Sequence, residues 1–286
     1  GQWNDDGHNA LHVLLTGEQE AYYADYRQAT IQKLARCLSQ GFVFQGEADR
    51  TGRPRGEPSD HLPPSAFVLF LQNHDQVGNR ALGERLTRLC SPQALRAATT
   101  LLLLSPMVPL LFMGEEWGSD TPFLFFTDHH DELADAVREG RRSEFAGFKA
   151  YADPVQRAAI PDPNALSTYR ASRLQVTDDP QQPWQAFYRQ LLHLRHQHIV
   201  ALLPGCRAEG AEVIGDKALS ARWQLADGRT LRIDLNLGPL AVPCSLPPAS
   251  THLYACASEP LSSEHLPPYS TLVSLLPKPL PEPDHD

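Results

Sequence analysis

The sequence predicts an α/β segment followed by a small all-β domain, and three observations carry that prediction. Two apolar runs, Ala66 to Leu71 and Val108 to Met113, lack alternation and end abruptly in polar clusters. A helical pattern lies between them. From about residue 206 the texture changes to short apolar pieces separated by turn signals. An unbroken apolar run suits a strand buried on both faces, as in a parallel sheet. Strand, polar tip, helix, strand, polar tip is a βαβ unit. Its polar residues fall at the carboxyl ends of the strands, where open α/β sheets and (β/α) barrels place their chemistry.

The elements follow in order. Ala10 to Leu15 is a short apolar stretch. Ile31, Leu34, Ala35 and Leu38 then fall on one helical face, and Gly41 is placed as its stop. Residues 46 to 65 are rich in Gly, Pro and charge and read as a long loop. After the first buried run, Ser91 and Pro92 read as N-cap and first helical position, with Leu95, Ala98, Thr99 and Leu102 on one face. Residues 128 to 150 read as a charged helix, and 151 to 183 as irregular. Trp184, Phe187, Tyr188, Leu191 and Leu192 form a further helical stripe, ended by Pro204-Gly205. Strands are expected at Leu219 to Leu225, Thr230 to Leu235, Leu240 to Cys244, Leu253 to Ala255 and Thr271 to Leu276, with a turn at Asp227-Gly228. Residues 277 to 286 read as a frayed end.

Composition narrows the function classes. The 286 residues are 42% apolar and 21% charged, with a formal charge of −9. That is an ordinary globular balance without the basic excess of a nucleic-acid binder. No run approaches the roughly 18 apolar residues of a membrane helix. Five widely spaced cysteines argue against a disulfide framework or zinc site and for a reducing, cytoplasmic setting. No secretory signal opens the chain, and a first residue of Gly1 suggests processing or excision from something longer.

The two tips hold the candidate chemistry. Asn73, His74 and Asp75 leave a buried strand where a ligand could sit. A carboxylate there accepts hydrogen bonds from sugar hydroxyls and places negative charge near a developing cation, and the imidazole can donate to a second hydroxyl. The same trio, alone, also suits a polar strand-end turn. Glu115, Glu116 and Trp117 close the next strand. An indole face stacks on a pyranose ring, although an acidic pair beside a core Trp would look the same.

The stretch Phe70-Leu71-Gln72-Asn73-His74-Asp75-Gln76-Val77-Gly78-Asn79-Arg80-Ala81 resembles the seventh-strand motif of the α-amylase superfamily, in the form used by maltooligosyltrehalose trehalohydrolases. Met107 to Gly118 resembles the eighth-strand motif. Gln2-Trp3-Asn4-Asp5-Asp6-Gly7-His8-Asn9-Ala10-Leu11-His12 resembles the segment after the sixth strand, and Thr121 to His129 is also typical of these enzymes. Gln76 with Gly78-Asn79-Arg80 argues against the branching enzymes. The resemblance implies that residues 1–205 are the last part of a (β/α)8 barrel, about strands six to eight, and that 206–286 is a β-sandwich-like domain. It implies a retaining glycosidase releasing trehalose from maltooligosyltrehalose. Asp75 would be the third acidic residue of the site, with Asn73, His74, Gln76, Arg80, Glu116 and Trp117 as substrate-binding residues and Asp6 and His8 at its mouth. Two departures stand out. The family's aromatic and paired histidines are Gly7-His8-Asn9 here, and its lysine and acidic-tryptophan pattern is absent around Ser172-Arg173-Leu174.

A retaining glycosidase needs a nucleophile and an acid/base about 5–5.5 Å apart. In this superfamily they lie on strands four and five, and a full barrel takes eight strands and about 250 residues. The sequence therefore reads as a portion without that pair, inactive alone, poorly soluble, and completed by the missing N-terminal part of the barrel. Other readings are a different α-glucan enzyme, an amylase or a branching enzyme, and a non-catalytic glucan-binding module. No cofactor is implied. His129-His130 and His193, His196 and His198 invite a metal reading that no Cys or carboxylate cluster completes. No Gly-x-Ser-x-Gly or Gly-x-Gly-x-x-Gly pattern is present.

Overall fold

The structure is a computed structural model and describes residues 1–175, 183–245, 250–260, 262 and 264–278. Its elements begin with β1 (Gln2–Trp3), α1 (Asp5–Thr16), α2 (Thr30–Gln40), β2 (Gln45–Ala48), β3 (Pro54–Gly56) and β4 (Phe67–Leu69). Next come α3 (His74–Gly78), α4 (Leu86–Leu89), α5 (Pro92–Leu104), β5 (Val108–Pro109), α6 (Asp131–Glu144), α7 (Pro154–Ala158), α8 (Leu166–Ala171) and α9 (Pro183–His198). The last are β6 (Arg207–Gly215), β7 (Ala218–Gln224), β8 (Thr230–Asn236), β9 (Val242–Pro243), β10 (Thr251–Cys256), β11 (His265–Leu266) and β12 (Ser270–Leu276). The chain divides into two compact units: Gly1–Leu71 with Ser91–Leu110 and Phe187–Asp286, and Gln72–Cys90 with Leu111–Ala186.

The first unit holds a parallel sheet in the order β1-β4-β5, with Gln2 opposite Phe67 and Val68 opposite Val108. Phe67, Leu69, Phe70 and Leu71 are buried, as an unbroken apolar run implies. The second run pairs for a shorter distance than expected. Leu110 still donates to the Leu69 carbonyl, but the Phe112 N–H goes to the Glu115 side chain, so the ladder stops there. Among the described residues β1 and β5 are the edges of this sheet. On β5, Pro109 offers no N–H, which an edge strand tolerates.

The helices form for local reasons. In α5, Ser91 accepts from the Ala94 N–H and Pro92 takes the first helical position. Its leucines Leu101 to Leu104 are fully buried. In α2 the predicted face is the buried one, and Gly41 ends the helix at φ +97°. A β-carbon at Gly41 would lie 2.2 Å from the Phe67 ring, so close packing there requires glycine. The helix α1 is longer than its apolar stretch suggested. Asn4 caps it by accepting from Gly7, and its first turns bury Asp6, His8 and Asn9. The loop expected at residues 46 to 65 contains the β2–β3 hairpin.

The same unit carries an antiparallel sheet in the order β10-β12-β8-β7-β6. Asp227-Gly228 turns β7 into β8, with Gly228 at φ +84°. β6 was not anticipated, because Arg207 to Gly215 is poor in β-branched residues and bulged at Gly210. The sheet lies against α2 and α5. Trp223 is fully buried and donates to the Leu38 carbonyl at 3.1 Å, and Thr271 donates to the Ala97 carbonyl at 2.8 Å. The indole is therefore part of the packing and is not a platform for glucan. The five cysteines are unbridged. Among the described residues no three His, Cys, Asp or Glu side chains converge as metal ligands, and no helix is long and apolar enough to cross a membrane. Residues 279–286 of the expected frayed end lie outside the described residues.

A buried arginine locks α9 to the strand turn. Arg195 donates to the carbonyls of Leu103, Ser105 and Met107, which satisfies the open end of α5 and the approach to β5. Burial lowers its pKa to about 10, so it remains a cation at neutral pH. Arg195→Met should strand three buried carbonyls and lower stability by about 2–4 kcal/mol. Urea unfolding followed by circular dichroism measures this, and a loss below about 0.5 kcal/mol would show the clamp to be dispensable.

Candidate active-site tips

The first tip is built by a cap. Beyond β4 the chain bends at Leu71 and reaches Asn73, whose side chain accepts from the Gln76 N–H at 2.7 Å and starts α3. Asn73 is consequently buried, and its oxygen belongs to the helix start. This corrects the expectation that it contacts substrate. His74 and Asp75 occupy the first turn and point outward, with side chains 59% and 66% exposed and His74 Nε2 lying 3.6 Å from Asp75 Oδ1. Gln76 and Arg80 are half-buried, and Arg80 pairs with Glu84 at 3.2 Å. From α6, Arg141 donates to the carbonyls of Gly78 and Arg80, closing the end of α3.

The second tip turns at Gly114 (φ +93°) into a short 3-10 turn, Glu115–Trp117. Glu116 is half-buried and accepts from the Gly114 N–H at 3.0 Å, and Trp117 is half-buried. The neighbouring Glu115 is the buried member of the pair. Its Oε1 accepts from Gln72 Nε2 at 2.8 Å and its Oε2 from the Phe112 N–H at 3.3 Å. Gln72 in turn accepts from the Leu86 N–H at 2.7 Å. Arg85 donates to the carbonyls of Met113 and Thr121 and lies over the Phe112 ring. The two tips are thus tied together by side chains within one compact unit.

Burial pushes the Glu115 carboxyl up to about 8, helped by the like charge of Glu116 and opposed by the Gln72 and Phe112 hydrogen bonds and by Arg85. Burial likewise lowers Arg85, against the attraction of both glutamates. Chemically, the unit offers an exposed carboxylate beside an imidazole, with a half-buried carboxylate and indole on the adjoining tip. That set can bind hydroxyls and face a developing positive charge. The sequence pattern placed Glu115 beside Glu116 at this tip but gave binding to Glu116 alone, and it gave Gln72 and Arg85 no role. A Gln placed immediately before Asn73-His74-Asp75, at the end of a buried strand, was the available signal.

In the first unit, Asp6 and His8 are both buried, which corrects the expected place of His8 at an open mouth, while Asp6 lines a cleft. Asp6 accepts from the Tyr26 hydroxyl, from the Val43 and Phe44 N–H groups at 2.8 and 3.2 Å, and from Arg55 at 2.9 Å. Its oxygens hold the α2–β2 turn. A cleft of about 630 Å³ lies over it, lined by Trp3, Asp5, Phe44, Arg55, Glu57 and His61 among others. His8 stacks on Phe70, and its Nδ1 lies 2.9 Å from the Leu71 carbonyl, while Nε2 is buried without a partner.

Residues 206–273 match a family described as a domain of unknown function, DUF3459. A malto-oligosyltrehalose trehalohydrolase of Deinococcus radiodurans is 42% identical over 205 residues, covering 69% of this chain and 33% of that protein. The enzyme of the same name from Arthrobacter ramosus is 38% identical over 248 residues, covering 85% of this chain and 41% of that protein. A crystal structure from Salmonella typhimurium, described provisionally as an alpha amylase, superposes with a TM-score of 0.86 at 43% identity, over 96% of this chain and 46% of that one. The likeness is to glycosidases related to α-amylase. Among them, the chain is a relative of the malto-oligosyltrehalose trehalohydrolases. It spans about a third to two fifths of the length of these curated relatives.

Burial, with the neighbouring His12, lowers the His8 pKa from 6.5 to about 3 against the favourable Leu71 carbonyl. The unfolded chain takes up this proton below pH 6.5 and the folded chain does not until about 3. Stability from this site is therefore complete above 6.5 and drains away as the pH falls toward 3. His8→Gln should flatten that acid limb. Urea midpoints at pH 7 and 4.5 measure it, and an equally steep loss in the variant would clear His8 of the effect.

Proposed function

We propose that this chain supplies the transition-state-stabilising acid of a retaining α-glucan hydrolase that cuts the α-1,4 bond next to the terminal trehalose unit of maltooligosyltrehalose. One observation carries the reading. Asp75 is an exposed carboxylate at the carboxyl end of a parallel strand, beside His74, in a chain related to enzymes of that name. Glycosidic cleavage builds positive charge on the anomeric carbon and ring oxygen of the glucose from which the leaving group departs. Asp75 accepts hydrogen bonds from vicinal hydroxyls of that glucose, and its negative charge favours the cationic state. His74 donates to the same sugar. Glu116 and Trp117 bind the ring from the adjoining tip, and Gln76 and Arg80 border it.

In this reading β1, β4 and β5 are strands six to eight of a (β/α)8 barrel, residues 1–205 belong to it, and 206–286 form a capping β-domain. The edge positions of β1 and β5 among the described residues support strands pairing on either side. The nucleophile and the general acid lie outside these residues, on the N-terminal part of the barrel. The five unbridged thiols suit a cytoplasmic enzyme. The Salmonella typhimurium neighbour keeps a second reading in view, an amylase acting within plain α-glucans.

These 286 residues alone should release no trehalose from maltooligosyltrehalose, because Asp75 by itself cannot carry out double displacement. In the complete enzyme, Asp75→Asn should lower kcat by roughly 10²–10³ with the fold intact. Trehalose among the products supports the first reading, and maltose or longer glucans alone support the second. Turnover unchanged in Asp75→Asn would remove this carboxylate from the mechanism.

A further inference from the structure

We propose that Glu115 is a positioning residue for the Asp75 carboxylate, acting through the side chain of Gln72. The inference rests on the role of Asp75 given above. Glu115 is not placed to meet a sugar. It is buried, and each carboxyl oxygen already accepts a hydrogen bond, one from Gln72 Nε2 and one from the Phe112 N–H. What it holds is the residue at which the strand becomes the tip.

Gln72 is gripped at both ends of its amide, by Glu115 at 2.8 Å and by the Leu86 N–H at 2.7 Å. A side chain bonded at both ends leaves its own backbone little freedom. The next residue, Asn73, passes that constraint on by capping α3 at Gln76. Asp75 lies between the cap and the residue it caps. Two side-chain hydrogen bonds and one peptide link thus connect the buried acid to the segment carrying the exposed one. Removing the Glu115 acceptor would strand a buried amide donor, which costs more than the bond itself contributes. Gln72 would then turn to find another acceptor and release Leu86.

The charged groups facing Glu115 are Arg85, which favours the carboxylate, and Glu116, which opposes it. Arg85 is committed to the Met113 and Thr121 carbonyls, and its Nη2 is buried without a partner. Burial holds the Glu115 proton to about pH 8, whereas the unfolded group loses it near 4.5. A folded pKa above the unfolded one gives stability that is complete below 4.5 and lost as pH rises through about 8. On ionising, the carboxyl leaves its buried place and lets go of Gln72, so the loss of protection should be larger in α3 than in α6 and α8 of the same unit, whereas a bond that only stabilised the unit would lower all three alike.

Amide hydrogen exchange on the 286-residue chain, read by mass spectrometry and corrected for intrinsic rates, tests the proposal. In the unaltered chain the protection of residues 74–79 should fall by roughly tenfold or more from pH 5 to pH 8 and level off above. Glu115→Gln keeps an acceptor for Gln72 and cannot ionise, so its protection should match the pH 5 value across the range. Gln72→Ala should lose protection at every pH. If Glu115→Gln follows the original pH profile, or Gln72→Ala leaves residues 74–79 unchanged, the proposal is overturned. Should Glu115→Gln not fold, the Gln72→Ala measurement at pH 5 decides alone. No sugar enters this readout, so it is separate from the fate of the glycosidase reading, which unchanged turnover in Asp75→Asn would end.

Discussion

The hydrogen bond between Gln72 and Glu115 is the interaction on which the site depends. It joins the ends of two neighbouring parallel strands through side chains, where the backbone ladder has already stopped. Past Leu110 the second strand no longer pairs with the first, because Phe112 gives its N–H to Glu115. The loss of the ladder is therefore also the gain of a polar anchor. A single buried carboxyl ends one strand and holds the residue that ends the other. With Arg85 fastened to Met113 and Thr121, and Arg141 to Gly78 and Arg80, the turns around His74 and Asp75 are set by side chains reaching buried carbonyls.

Carboxylates in this chain take opposite roles according to their donors. Asp6 is surrounded by a hydroxyl, two N–H groups and a guanidinium, and it organises the start of α1 and the exit of α2. Asp75 has one distant imidazole beside it and stands in solvent. A buried carboxylate is stable only when its lone pairs are used, so it has little left for a ligand. An exposed one at the end of a buried strand remains available. By that criterion Asp6 serves the architecture, and Asp75 has its oxygens open to solvent. Glu115 falls between them: it is buried with fewer donors, and burial pushes its carboxyl up to about 8.

The antiparallel sheet belongs with the framework. Its Trp223 fills the interface with α2, and Thr271 ties β12 to α5. Buried polar links at this interface specify how the sheet lies on the helices, which apolar packing alone would leave less defined. The sheet's one indole, Trp223, is withdrawn from solvent by this packing.

Much of this was legible from residues alone. The unbroken run at Phe67–Leu69, the Ser91-Pro92 start of α5 and the apolar face of α2 are local patterns, and local patterns survive folding because backbone geometry and burial enforce them. The exposure of His74 and Asp75 at a strand end, and their likeness to a glycosidase motif, could be read in the same way. Tertiary structure decided which polar residues were left for chemistry. Glu115 and Glu116 are adjacent and identical, and only the turn at Gly114 sends one inward to Gln72. Asp6 is filled by partners at residues 26, 43, 44 and 55, and no window around it reveals them. The reason is physical: a side chain's place in a helix or strand follows from its neighbours in sequence, whereas its hydrogen bonds are completed by whatever the fold brings near.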